Sequence, residues 1–206
     1  MYIPATNRVD DRAKLVAFMR EHSFATVITP ADGQTLVTHI PVLIDDSSEV
    51  ICIRGHFARA NPHSDGLDTG RETTVVFQGP HAYVSPALDD AREAVPTWNY
   101  IAVHASGAAR TLDPHASRGV LEESIATFEA AYRAQWDSLD EAYRDGLAKA
   151  IVAFEIDVTR LDGKYKLSQN RSPAEQDRIA ESLVASQNTN VAAVGDAMRD
   201  RPRRPG

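Results

Sequence analysis

The chain has 206 residues, with 22 Lys+Arg against 29 Asp+Glu, a formal net charge of −7 and 43% apolar residues. That composition excludes wholesale disorder, a collagen-like repeat and a disulfide scaffold, and a chain of this length is expected to fold as one domain, or one domain with a small appendage. No apolar run approaches the ~20 residues that a bilayer requires, and the start MYIPATNRVDD has neither a basic nor an apolar leader region, so a cytoplasmic protein is expected.

In chain order, Asp10 to His22 places Leu15, Val16, Phe18 and Met19 on one helical stripe, with Asp10 as N-cap. Phe24 to Thr29 and Thr35 to Ile44 read as a hairpin around the turn Pro30-Ala31-Asp32-Gly33. Glu49 to Arg54 is a third strand; Val50, Ile51, Cys52 and Ile53 leave it no polar face, so both sides should be covered and the lone cysteine should be a small buried hydrophobe. Gly55 to His63 then predicts a turn or short helix, because Pro62 disfavours helix at Asn61. Strands are expected at Thr73 to Gln78 and Ala82 to Ser85, split by Gly79-Pro80, followed by a polar, mobile insertion from Pro86 to Pro96. Asn99 to Leu112 is a long strand in which Gly107 marks a bulge.

From Pro114 to Tyr132 the spacing of Leu121, Ile125, Phe128 and Tyr132 predicts an amphipathic helix with Glu122, Glu123 and Glu129 outside; a second helix follows from Asp140 to Lys149. Ile151 to Leu161 alternates as a strand, Val152, Phe154, Ile156 and Val158 facing one way, with a turn at Asp162-Gly163 and a polar extension from Lys164 to Asn170. Ser172-Pro173 opens a helix carrying Ile179 and Leu183, which breaks near Asn188-Thr189-Asn190 before a final short helix. This order predicts an α+β fold, a small, mostly antiparallel barrel with flanking helices.

No His-Glu-x-x-His or His/Cys cluster predicts a metal, and no Gly-x-Ser-x-Gly, P-loop or Gly-x-Gly-x-x-Gly is present. Three polar clusters remain. Thr38-His39-Ile40-Pro41 interrupts an apolar strand face, which either an edge strand guarded by proline or a ligand explains. Gly55-His56-Phe57-Ala58-Arg59-Ala60-Asn61-Pro62 offers a cation and backbone amides suited to a phosphate, or is a capping turn. The segment from Gly163 to Ser172 gathers Lys164, Lys166 and Arg171 around Ser168, Gln169 and Asn170, as an anion site or a solvated charged loop. Between them Trp98, Asn99 and Tyr100 read as a core anchor or as the wall of a planar ligand. FMN joins a phosphate, a polyol and a flat polar-edged heterocycle, and would use all four.

The motifs MYIP, THIP, GHFARANPH, FQGPHAYVSP, VPTWNY and GKYKLSQNRS, in this order, resemble the PaiB family of FMN-binding negative transcriptional regulators, over essentially residues 1 to 187. The resemblance implies a split β-barrel related to the pyridoxamine-phosphate oxidase superfamily, usually a homodimer with FMN at the subunit interface. It implies that Thr38, His39 and Ile40 line the isoalloxazine, that His56 and Arg59, next to Gly55, take the place that holds the phosphate, that Asn61 and Pro62 match a recurrent Asn-Pro of the cofactor site, that Trp98, Asn99 and Tyr100 shape the pocket, and that Lys166, Ser168, Gln169 and Asn170 close it. One departure stands after Val84-Ser85-Pro86, where the family continues Ser-Trp-Tyr and this chain has Ala87-Leu88-Asp89-Asp90.

The expected division is a flavin domain at 1–187, with a helical insertion at about 114–149, and a short helix with a basic tail at 188–206. The tail from Arg199 contributes +3, leaving −10 for the rest, so DNA contact rests on the resemblance alone. The resemblance implies a regulator that uses flavin as a structural or sensing ligand. The alternative is a flavin-dependent oxidoreductase with a nicotinamide donor, whose catalytic residues the sequence does not name, and a third reading is haem with His39 or His104 as axial ligand.

Overall fold

A computed structural model describes residues 1–201. The elements run β1 (Arg8–Val9), α1 (Arg12–Glu21), β2 (Phe24–Ala31), β3 (Gln34–Pro41), β4 (Leu43–Asp45), β5 (Cys52–Ala58), β6 (Glu72–Val84), β7 (Thr97–Thr111), α2 (Pro114–Phe128), α3 (Arg133–Ser138), α4 (Glu141–Lys149), β8 (Ile151–Asp157), β9 (Arg160–Lys166), α5 (Pro173–Val184) and α6 (Thr189–Arg199), with short 3-10 turns between some of them. Contacts divide the chain into two compact units, one of Met1–Asp11, Gln78–Val103 and the described residues from Asp162, the other of Arg12–Phe77 and His104–Leu161. The strands β6 and β7 each pass from one unit into the other.

In the second unit the strand order is β3-β2-β6-β7-β8-β5-β4. Asp32-Gly33 closes the β2–β3 hairpin, with Gly33 in the left-handed region at φ +74°. The antiparallel register Gly55↔Phe154 and Phe57↔Val152 joins β5 to β8. Ile53, Phe57, Phe154 and Ile156 are buried on the core side, while Cys52, Arg54 and His56 point the other way and are only half-buried. Cys52 is therefore not the fully buried hydrophobe expected: its Sγ lies 3.6 Å from Glu155 Oε2, and burial followed by that carboxylate pushes its thiol up to about 11. A thiol held protonated in this way is a poor nucleophile.

Several boundaries move. β5 continues through Gly55-His56-Phe57-Ala58, where a turn was expected, and the turn is the 3-10 segment Pro62–Gly66. β6 is one strand rather than two: its ladder with β2 covers Thr74 to Val76, so Pro80, which has no N–H, lies beyond that partner's last rung. Asp162-Gly163 is no turn but the middle of β9, whose Gly163 pairs with Val9 and whose Lys164 pairs with Arg8. At Gly107 a Cβ would collide with the Asp157 carbonyl, so the glycine there permits close passage of a neighbouring backbone.

The stripe forecast for α2 is rotated. Val120 packs with Leu43 and Ala153, against Leu112 and Ile151, whereas Phe128 is exposed. Glu122 and Glu123 are only part-exposed and ion-paired, to Arg118 at 3.3 Å and Arg54 at 2.9 Å, and Trp136 of α3 is buried near Glu122.

In the first unit β1 pairs with β9, which pairs with β7. Ser172 and Glu175 form a capping box at the start of α5. Helix α6 lies directly on α5: a Cβ at Gly195 would stand 2.7 Å from Val184 N and 2.8 Å from Ala180 O. Helix α6 belongs to this unit. Of the basic tail, residues 202–206 lie outside the described residues.

Candidate functional site

The sequence-predicted residues fall in both units. In the second unit, Thr38 on β3 and Asn61 ahead of the 3-10 turn meet at a residue not singled out, His63. Its Nδ1 is 2.8 Å from Thr38 Oγ1 and its Nε2 is 2.9 Å from Thr29 Oγ1, which continues at 3.0 Å to Thr73 Oγ1. Asn61 Nδ2 donates to Thr38 Oγ1 at 3.3 Å, and Asn61 Oδ1 accepts from His63 N at 3.0 Å. His63 is 1% exposed and stacked on Phe57 with ring centroids 4.5 Å apart. Burial lowers its pKa, so a neutral ring with one nitrogen donating and the other accepting satisfies every partner. Thr38 and Asn61 thus hold the turn to the sheet. Its place at the end of GHFARANPH is the signal that could have found His63.

His39, exposed on β3, hydrogen-bonds through Nδ1 to Thr26 Oγ1 at 2.9 Å. Gly55 is a packing glycine: a Cβ there would press on Phe154 Cζ at 3.1 Å and Ile40 Cδ1 at 3.2 Å, so Ile40 fills the space beside it. His56 is half-buried, and burial lowers its pKa. The Arg59 guanidinium donates from Nε to Lys149 O and from Nη2 to Ile151 O, both at 2.6 Å. It clamps the passage from α4 into β8, which commits two of its N–H groups. The rest of Arg59 borders a cavity of about 430 Å³ that Ser64, Asp65, Thr111, Ser117 and Val152 also line.

In the first unit Asn99 and Ser168 come together but point inward. Asn99 Nδ2 donates to Ser168 Oγ at 2.9 Å and approaches Met198 Sδ at 3.5 Å, and Asn99 is 0% exposed. Ser168 adopts φ +59°, a left-handed conformation that a serine keeps only where its surroundings hold it. Gln169 staples the same bend, its Oε1 accepting from Leu167 N at 2.7 Å and its Nε2 donating to Tyr165 O. Asn170 is exposed. These residues shape the end of β9 from within.

Other groups in this unit differ in exposure. Trp98 is 54% exposed, not a core anchor, and stands 6.0 Å from Tyr83 and 6.1 Å from His81 between ring centroids. Lys164 and Lys166 lie on one side of β9, the first buried and the second part-buried, and Lys166 Nζ donates to Thr97 Oγ1. Burial lowers the Lys166 pKa, opposed by Tyr100 and reinforced by the neighbouring Lys164 ammonium. The insertion at 86–90 is tied down: Asp90 N donates to Glu175 Oε1 at 3.0 Å, and Arg171 pairs with the buried Asp89 at 2.6 Å. The bonds from Asp90 and Ser172 hold the Glu175 carboxyl down at about 2. Asp89 and the Asp90 backbone thus latch this segment onto Arg171 and Glu175.

Exposed Trp98 and the part-buried Lys166 offer what a flavin needs, a flat aromatic surface for a heterocycle and an ammonium group for a phosphate. Among the described residues no group of three or more His, Cys, Asp or Glu could hold a metal ion, and no helix is long and apolar enough to cross a membrane.

The chain is 34% identical to the protease synthase and sporulation protein PAI 2 of Bacillus subtilis over 98% of each chain. Among solved structures it resembles the FAD and heme binding protein from Mycobacterium smegmatis (TM-score 0.62, 15% identity, 78% of this chain and 73% of that one). It likewise resembles the flavocytochrome Anf3 from Azotobacter vinelandii (TM-score 0.61, 15% identity, 77% and 68%). At such identities the likeness shows the fold, an α+β split barrel. The family described as "Putative FMN-binding domain" matches residues 1–160, and with the PAI 2 relationship this establishes that the chain belongs to that family, the PaiB family.

Proposed function

We propose that this chain binds FMN, as a PaiB-like negative transcriptional regulator in which the flavin is a structural or sensing ligand. The observation that carries the reading is the family match across residues 1–160. The donor set supports it. Trp98 and Tyr100 would hold the ring system, and Lys166 the phosphate. Bound flavin would supply hydride or electron transfer, while the residues of this chain bind and orient. Thr38, Asn61, Asn99 and Ser168 act one step removed, since their polar atoms are already engaged with one another and with His63 and Met198.

We further propose a homodimer in a cytoplasmic setting. The body's charge of about −10 repels nucleic acid on average, so a regulatory output through a protein partner fits this chain better than direct contact with DNA.

The test is the visible spectrum of purified protein, with titration of FMN, riboflavin and FAD. Flavin absorption near the ordinary bands, released on denaturation, is the expected result. A Soret band in its place, or a protein that ignores all three flavins, would overturn the reading. With flavin bound, oxidation of NAD(P)H separates an oxidoreductase from a sensor: steady turnover favours the enzyme, its absence the regulator.

A further inference from the structure

Lys164 sits in an environment that a lysine rarely tolerates. It is 8% exposed; its ammonium donates to Tyr2 O at 3.1 Å and lies 5.1 Å from the centroid of the Tyr100 ring and 5.7 Å from that of Tyr2. Lys166, two residues on, projects to the same side of β9. Two residues along a strand is about 7 Å, close enough for both ammonium groups to converge on one small anion. The nearest carboxylate in sequence, Asp162, is engaged by the Met1 ammonium at 3.2 Å. Neither lysine has a carboxylate partner among the described residues.

Each ammonium has three donors, and one oxygen partner apiece, Tyr2 O and Thr97 Oγ1, leaves the others to be met. Neighbouring like charges withdrawn from water raise the free energy of the folded chain unless a counter-charge completes them. The tyrosine faces offset part of this by cation–π attraction, but they supply no charge. Burial and the adjacent Lys164 pull the Lys166 ammonium below its ordinary pKa, which a bound anion would reverse.

We propose that Lys164 and Lys166, walled by Tyr100 and Tyr2, form an oxyanion site that takes a phosphate monoester group. Its choice of a phosphate monoester over other oxyanions rests on the flavin reading. Arg59, the cation first expected to meet the phosphate, has two of its N–H groups on backbone carbonyls, whereas the two lysines keep their charge uncompensated.

The experiment uses the full chain, with Lys164→Met and Lys166→Met as variants; Lys166 is the less buried, so its variant remains informative if loss of Lys164 impairs folding. Inorganic phosphate is titrated against chloride at matched ionic strength with thermal unfolding as readout, and FMN and riboflavin affinities are measured by fluorescence. Phosphate should raise the melting temperature of the parent and lose that effect in either variant. If the phosphate belongs to the flavin, FMN should bind ~10- to 100-fold tighter than riboflavin, and the Lys166→Met variant should lose that preference. Equal flavin affinities with lysine-dependent phosphate protection support the site and assign it to a separate phosphorylated ligand. Phosphate protection without any flavin binding supports the site and overturns the flavin reading. Flavin binding with no phosphate effect and no FMN preference overturns the site and leaves the flavin reading standing.

Discussion

His63 shows how a buried histidine couples a fold to pH. Both ring nitrogens are engaged by threonine hydroxyls, and the ring lies against Phe57, so a second ring proton would have to turn away the hydroxyl proton now donated to the ring, in a desolvated place. Burial lowers the pKa of His63, and of His56 on β5, below the ordinary histidine value near 6.5. In the window below 6.5 the unfolded chain takes up protons that the folded chain refuses, so stability falls as pH drops from about 7 toward 5 and is unaffected by these groups above it. Melting temperature measured across that range should therefore decline toward acid. In a His63→Gln variant the slope should be shallower, with the remainder owed to His56; an unaltered slope would show that His63 is not the group responsible. The same residue scale explains why the candidate site was only partly legible. Thr38, Asn61, Asn99 and Ser168 are polar residues among apolar neighbours, a pattern that ligand contact and internal hydrogen bonding produce alike. Only their partners distinguish the two, and most of those partners are distant in the chain, up to 99 residues away.

At the scale of elements, glycines divide by what surrounds them. Gly107 on β7 has the Asp157 carbonyl of β8 where a side chain would go, and neither strand can yield without breaking its ladder. Gly119 in α2 has nothing within 4 Å of a would-be Cβ. Gly107→Ala should cost about 3 kcal/mol, while Gly119→Ala should add about 0.5–1 kcal/mol through helix propensity and reduced unfolded-state entropy. Urea unfolding of the two variants beside the parent measures both, and comparable values would show that the close strand passage is relieved by relaxation. Strand and helix types were readable from periodicity, yet α2 buries Val120 where Phe128 was expected. Its C-terminal turn ends at Glu129, and Trp136 of α3 is the aromatic that is buried instead. A helical wheel ranks residues by hydropathy, but the surface available to cover is set by β4, β5 and β8. In β6, likewise, the ladder with β2 ends at Val76, short of Pro80, which no local signal reveals.

For the whole molecule, the β2–β3 hairpin bears on assembly. In the second unit Phe24 is 71% exposed and Val37 54% exposed, and Thr26, Ile28 and His39 lie on the same sheet face. A second copy covering this face is the arrangement that the homodimer proposal requires. Sedimentation over a range of concentrations should show a dimer in the parent and weaker association in Phe24→Glu, and FMN should shift the equilibrium if its site is shared between subunits. A parent that stays monomeric at every concentration, with or without FMN, would end that proposal.

Residue patterns alone carried the fold class and the order of most elements, and contiguous motifs carried the resemblance to the family and pointed to a flavin ligand. These follow from residue types at short spacing, namely period-2 and period-3.6 patterning, turn and capping residues, and motifs contiguous in the chain. The tertiary structure alone decided which motif residues turn inward, since His63, Thr38 and Asn61 satisfy one another across the second unit, and Asn99, Ser168 and Met198 do so across the first. It also gave Arg59 its carbonyls and left Lys164 and Lys166 without a counter-charge. Hydrogen-bond satisfaction and desolvation depend on the neighbours that folding brings together, and residues far apart in the chain carry no local mark of becoming neighbours.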